Sequence, residues 1–263
     1  MVLAFDYENL NTSIADNARL LKQRLEAVGL GDGHGKTLHI VAHSMGGLLS
    51  RWFIEREGGK DVVNHLIMLG TPNNGSPLPN IVDFVLPLLT IGLNGLAAVT
   101  WPVSAIGALM HLAGAATVGA ERQMTTALKE MQPDSTLVQT LFSSEPPGIP
   151  YTVIAGNTSL IPAKNAESQR KIEALLQRIG RSVVDLPFMG AANDIAVKVN
   201  SITHLPTRSP APNVTQVACD HLTYFSDAAG LKALADAVKQ ALQLDSDQSA
   251  APPSGNPIGD RHQ

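Results

Sequence analysis

Apolar positions along this chain follow two rhythms, and their alternation predicts the elements. Val2-Leu3-Ala4-Phe5 is a short apolar run of strand type. Ile14, Ala18, Leu21, Leu25 and Val28 then recur three or four apart, as on one face of a helix. Thr12 or Ser13 is placed to cap that helix. Leu38-His39-Ile40-Val41 is a second strand, followed after a few residues by a helical run from Gly47 to Glu57 that ends at Gly58-Gly59. Val62 to Leu69 is almost continuously apolar, as expected of a strand covered on both faces. A polar helix is expected over Glu121 to Glu130 and a short one over Thr136 to Phe142. Tyr151 to Ala155 is a β-branched strand that follows Pro150. Asn165 to Ile179 is amphipathic, with Ala166, Ile172, Leu175, Leu176 and Ile179 on one face. Val183-Val184 and Ile195 to Val199 read as short apolar stretches near the end of the sheet. Leu231 to Leu244 closes the pattern as a helix with Leu231, Leu234, Ala235, Val238 and Leu242 inward.

Two segments depart from this alternation. Gly70 to Pro79 is a loop rich in proline, glycine and asparagine, and Phe84 to Ala120 carries no charged residue. An apolar run of that length raises the reading of a membrane span. Pro87, Pro102, several glycines, Asn94 and His111 interrupt it, which favours a helical lid over an apolar pocket. A plain pair of buried helices is the competing reading. From Asp245 to Gln263 the composition turns to Ser, Pro, Gly and Asp, so 245–263 is expected to be a disordered tail.

Composition narrows the class. With 263 residues, 44% of them hydrophobic, the chain suffices for one packed α/β domain with an insertion. Its net charge of −4 lacks any block of one sign, which argues against nucleic-acid binding. The single cysteine, Cys219, permits no internal disulfide, and Val2 to Phe5 does not resemble a secretory leader. Together these favour a cytoplasmic location. No H-E-x-x-H, C-x-x-C or acidic cluster points to a metal, and no G-x-G-x-x-G follows a strand. Gly31 to Lys36 is glycine-rich, but Thr37 opens a strand and not a helix, so a phosphate loop is not implied. Neither cofactor nor metal is expected.

Candidate chemistry centres on Ala42-His43-Ser44-Met45-Gly46, between the strand and the helix. Strand, tight turn and helix with a serine at the apex is the layout of a nucleophile elbow. Ala42 and Gly46 are the small residues that let strand and helix pass closely around the serine. The plain alternative is a serine that only caps a helix. A serine hydroxyl needs a base in reach and a third group to orient that base. His204, His221 and His262 lie in the C-terminal third, and His221 precedes the last helix within Cys219-Asp220-His221-Leu222-Thr223-Tyr224-Phe225. His43 beside the serine is read as a packing residue.

His43-Ser44-Met45-Gly46-Gly47, Gly70-Thr71-Pro72-Asn73-Asn74-Gly75-Ser76, Met131 to Ser135, Pro150 to Gly156 and Asn193-Asp194 resemble, in type and order, segments of bacterial lipase-like α/β-hydrolases. The likeness covers roughly residues 1 to 225. It implies an α/β-hydrolase fold over 1–244, a mostly parallel sheet flanked by helices, with a helical cap at 77–133. It implies Ser44 as nucleophile, His221 as base, Asp194 as acid and the Met45 backbone N–H as oxyanion donor. Asp185 is the second choice for the acid and Asp220 a third. Thr71-Pro72-Asn73 is placed to border the pocket. The resemblance also places strands upstream of Val2, so the chain is expected to be N-terminally truncated. The expected activity is cleavage of carboxylic esters, with an acyl ester or lipid as substrate and a possible lipid-surface contact through the apolar insertion. An acyltransferase with the same triad, or a non-catalytic interaction module within a larger protein, are the alternatives.

Overall fold

A computed structural model of the chain describes residues 1–8, 11–76, 126–161, 191–194, 196–206 and 208–250. Among the described residues four strands form one parallel sheet in the order of the chain: β1 (His39–His43), β2 (His65–Leu69), β3 (Tyr151–Gly156) and β4 (Asn213–Val217). His39 stands opposite His65, Leu66 opposite Tyr151, and Thr152 opposite Asn213. Parallel neighbours need a crossover, and helices supply it. α1 (Ile14–Ala27) and α2 (Met45–Arg56) lie on one face, and α6 (Ala228–Ala250) on the other. α3 (Thr126–Glu130), α4 (Thr136–Phe142) and α5 (Val199–Thr203) complete the described helices.

The period of two in a strand decides which face each side chain serves. Leu66 and Met68 of β2 point to the α1/α2 side, where they join Ile14, Ala18, Leu48, Leu49 and Phe53. Ile67 and Leu69 point to the α6 side, with Ile154, Val217, Ala237 and Ala241. Both faces are covered, so every residue of β2 is buried. That is the basis of its unbroken apolar run. Ser13 caps α1 by accepting the Asp16 N–H, and Ser135 caps α4 through the Val138 N–H. α3 docks against the start of α1, where the Glu130 carboxylate accepts the Ile14 N–H at 2.6 Å.

Three expectations change. Val2–Phe5 forms no strand, and Met1 and Val2 are almost fully exposed. A strand exists only through its ladder partner, and apolar composition does not supply one. Phe5 and Tyr7 instead stack on each other at 5.5 Å and pack against the core from its side. In the apolar stretch that ends at Val199, the chain bends at 196–197 and begins α5, with an isolated bridge between Asn193 and Lys198. The fourth strand is the polar segment Asn213–Val217, four of whose five residues are exposed. Finally, α6 continues to Ala250, so 245–250 is helix where a tail is expected. Asp245 to Ala250 holds neither proline nor glycine, so nothing in its sequence breaks a helix. His39 Nε2 of β1 lies 2.7 Å from Asp245 Oδ2, so this extension of α6 runs beside the start of β1.

Residues 77–125, most of the expected cap, lie outside the described residues. So do the helix expected at 165–179, Val183-Val184, Asp185 and the residues beyond 250. Among the described residues no helix is long and apolar enough to cross a membrane.

Candidate active site

β1 ends at His43, and the next residue carries the strained backbone of the fold. Ser44 has φ 53 and ψ −130, the one non-glycine with positive φ among the described residues. Its N–H donates to the Leu69 carbonyl at 2.9 Å, which locks the turn to the end of β2. α2 begins at Met45, whose N–H has no partner among the described residues. The close approach that the turn requires falls one residue later than the sequence implies. A Cβ on Gly46 meets only ordinary contacts, at 3.5 Å from the Tyr7 hydroxyl and 4.0 Å from Ala42 Cβ. A Cβ on Gly47 lies 1.9 Å from Thr71 Oγ1, so Gly47 lets α2 pack on the loop after β2.

His221 sits in the turn between β4 and α6, and Asp194 in the loop that precedes α5. Both are buried. The His221 N–H donates to the Asp194 carbonyl at 2.7 Å, so the two loops are joined through their backbones. His221 Nδ1 lies 2.7 Å from Asp194 Oδ2, and His221 Nε2 lies 3.0 Å from Ser44 Oγ. Asp194 accepts from Nδ1–H, which leaves Nε2 free to accept from the serine. The other carboxylate oxygen, Oδ1, accepts the N–H groups of Ala196 at 3.1 Å and Val197 at 2.7 Å. Glycine makes room for this pair: a Cβ on Gly70, where φ is 60, lies 2.9 Å from Asp194 Oδ2 and 3.0 Å from His221 Nδ1.

Two neighbours escape the sequence reading. Tyr224 donates its hydroxyl proton to Asp194 Oδ2 at 2.9 Å and accepts the Gly156 N–H at 2.6 Å. Its position three residues after His221 was the available signal. His43, expected only to pack, has its ring 4.7 Å from the His221 ring, with Nε2 2.9 Å from the His221 carbonyl. Burial, then the neighbouring His221, push His43 down to about 3, so it stays neutral and donates to that carbonyl.

The other candidates take different places. His204 is exposed and stacks on Phe142 at 5.4 Å. Asp220 accepts the Leu222 N–H at 2.9 Å within its own turn, and burial raises its carboxyl above the ordinary value. Thr71 is buried against Gly47. Asn73 is also buried; its side-chain oxygen accepts from Arg51 Nη1 at 3.2 Å and its amide donates to the Ile202 carbonyl at 2.8 Å. His262 and Asp185 lie outside the described residues. Burial, then Asp220, push the Cys219 thiol up to about 12, which makes it a poor nucleophile. Among the described residues no group of three or more His, Cys, Asp or Glu is arranged to hold a metal ion.

A parallel sheet flanked by helices, with Ser44 in the turn after β1 and Asp194 and His221 in loops beside it, has the architecture of an α/β-hydrolase fold. Among solved structures the chain is similar to the mature Bacillus licheniformis lipase BlEst2, at 19% identity and a TM-score of 0.45, covering 88% of this chain and 75% of that one. It is also similar to the phospholipase PlaB from Legionella pneumophila, at 16% identity and a TM-score of 0.40. That match covers 75% of this chain and spans 36% of the length of PlaB. A third is Est816, an N-acyl homoserine lactone degrading enzyme, at 12% identity and a TM-score of 0.41, covering 88% of this chain and 77% of that one. No curated protein matches the sequence. The family model that matches covers residues 1–239, and the chain belongs to the family it describes, the domain of unknown function DUF7379.

Proposed function

We propose that this chain is a serine hydrolase that cleaves carboxylic esters through Ser44, His221 and Asp194. The observation that carries the reading is a continuous hydrogen-bonded line. It runs from a buried carboxylate through an imidazole to a serine held at positive φ, with spacings of 2.7 and 3.0 Å. Capping alone does not account for it, since Ser44 makes no side-chain cap to α2.

In the reaction Ser44 Oγ forms a bond to the ester carbonyl carbon while His221 Nε2 takes the hydroxyl proton. The carbonyl π pair moves onto oxygen. The Met45 N–H, at the positive end of α2 and unpartnered among the described residues, receives that charge. Collapse restores the carbonyl, breaks the bond to the alkoxy group and returns the proton from His221 to the departing alcohol. Water, deprotonated by His221, then releases the acid and regenerates Ser44. Asp194 holds Nδ1–H throughout, which keeps Nε2 turned to the serine and stabilises the imidazolium. The charge-free stretch 84–120 supports an acyl chain as the recognised part of the substrate, and a lipid surface as its source.

The test is labelling with a fluorophosphonate probe, together with turnover of a p-nitrophenyl ester series from short to long acyl chains. The wild-type chain should label. Ser44→Ala should not, and its turnover should fall by about 10⁴-fold or more. Equal labelling of both removes Ser44 from the role of nucleophile.

A further inference from the structure

We propose that Tyr224 is a positioning residue for this site, its hydroxyl setting how strongly Asp194 holds His221. The inference rests on the esterase reading and adds a residue that acts through the acid. A phenol hydroxyl has one proton to give and lone pairs to accept with. The Gly156 N–H donates into that oxygen at 2.6 Å, so the proton must point to the other neighbour, Asp194 Oδ2, at 2.9 Å. Backbone geometry therefore fixes the rotor. The oxygen it reaches is the one that faces His221 Nδ1 at 2.7 Å, whereas the two backbone donors use Oδ1. Tyr224 is thus the donor that competes with the base for the same oxygen.

The surroundings hold this arrangement rigidly. Tyr224 is fully buried, and burial and then Asp194 hold its phenol well above 10, so it remains a donor throughout the neutral range. Three glycines make space for it. A Cβ would lie 2.9 Å from its Cε2 at Gly70, 2.8 Å from its hydroxyl at Gly156 and 2.5 Å from its carbonyl at Gly230. A phenylalanine would fill the same volume, so packing alone does not call for the hydroxyl. A competing donor draws charge from Oδ2 and tethers the carboxylate from the side. Without it, Asp194 turns more charge toward His221, and the imidazole keeps its proton to higher pH. Three other titratable groups face the pair. His43 and Cys219 do not change charge near neutrality, and Asp220 titrates as an acid with its carboxyl raised by burial.

The experiment compares Tyr224→Phe with a chain carrying 3-fluorotyrosine at 224, whose hydroxyl is a stronger donor and whose ring is enlarged by a single fluorine. Wild-type labelling at Ser44 is confirmed first. In Tyr224→Phe, kcat should fall about tenfold with KM little changed. The acid limb of kcat/KM should move up by on the order of half a pH unit. In the fluorinated chain the limb should move down. Opposite displacements support the proposal. Limbs that stay in place, or that move in the same direction, overturn it, whatever happens to kcat. If Tyr224→Phe fails to fold, the fluorinated chain decides alone by the direction of its limb. A wild-type chain that does not label at Ser44 overturns the esterase reading itself, and the role of Tyr224 with it.

Discussion

Ser44 carries a cost that its neighbours do not. A residue with a Cβ at φ 53 and ψ −130 is strained by about 1 to 3 kcal/mol, and glycine escapes that strain. Ser44→Gly should therefore raise unfolding stability by about 1 kcal/mol, after the greater chain entropy of glycine is subtracted. Ser44→Ala keeps the Cβ and should show no such gain. Urea denaturation of the two variants makes the comparison, and equal stabilities would mean that the turn stores no strain. The serine itself was legible in the sequence, because a strand-like run, a small-residue turn and a helical run bracket it. The tight position was not. Gly46 and Gly47 look alike in one dimension, and only the docking of α2 on Thr71 separates them.

At the scale of elements, β1, β2, β3, α1 and α2 were legible because each has its own period. β4 was not, since Asn213-Val214-Thr215-Gln216-Val217 is polar and depends on β3 for its ladder. The ion network that joins α2 to the rest was equally hidden. Arg51 and Glu55, four apart on a helix, look like a solvated pair, yet both side chains are fully buried. Glu55 accepts from Arg51 Nε at 3.0 Å, from Arg208 Nη2 at 2.9 Å and from the Tyr151 hydroxyl at 3.1 Å. Arg208 is 153 residues away in the chain. The Leu141 carbonyl accepts from both guanidinium groups. One carboxylate thus serves two buried cations, and removing its charge leaves both uncompensated. Glu55→Gln should cost about 3 to 5 kcal/mol of unfolding free energy. A loss below about 1 kcal/mol in a denaturant titration would show that the network is solvated in solution.

Across the whole molecule, acid should unfold this protein partly through its histidines. His65 is buried with Nε2 2.9 Å from Thr152 Oγ1, and burial, then His39, lower it from 6.5 to about 4. His43 is lowered to about 3. In the unfolded chain both take up protons near pH 6.5, while in the fold they do not. The unfolded state binds more protons below that value, so stability falls as pH drops from about 6.5 toward 4 and is unaffected above. His65→Gln should flatten this fall by at most about 1.4 kcal/mol per pH unit, whatever it does to stability at pH 8. An unchanged slope would remove His65 as a contributor. That Ser44, Asp194 and His221 come together in space was legible at this scale. Tyr224 was not, because an aromatic residue near a histidine looks like core until its hydroxyl partners are known.

Ser44 and His221 stand 177 positions apart, and β2, β3 and β4 all lie between them in the chain. On the proposed esterase reading, a nascent or clipped chain that has made only the turn at Ser44 holds an inert alcohol. Reactivity then arrives with the segment that carries His221, which makes chemical competence a late milestone of maturation and a sensitive report on whether assembly finished.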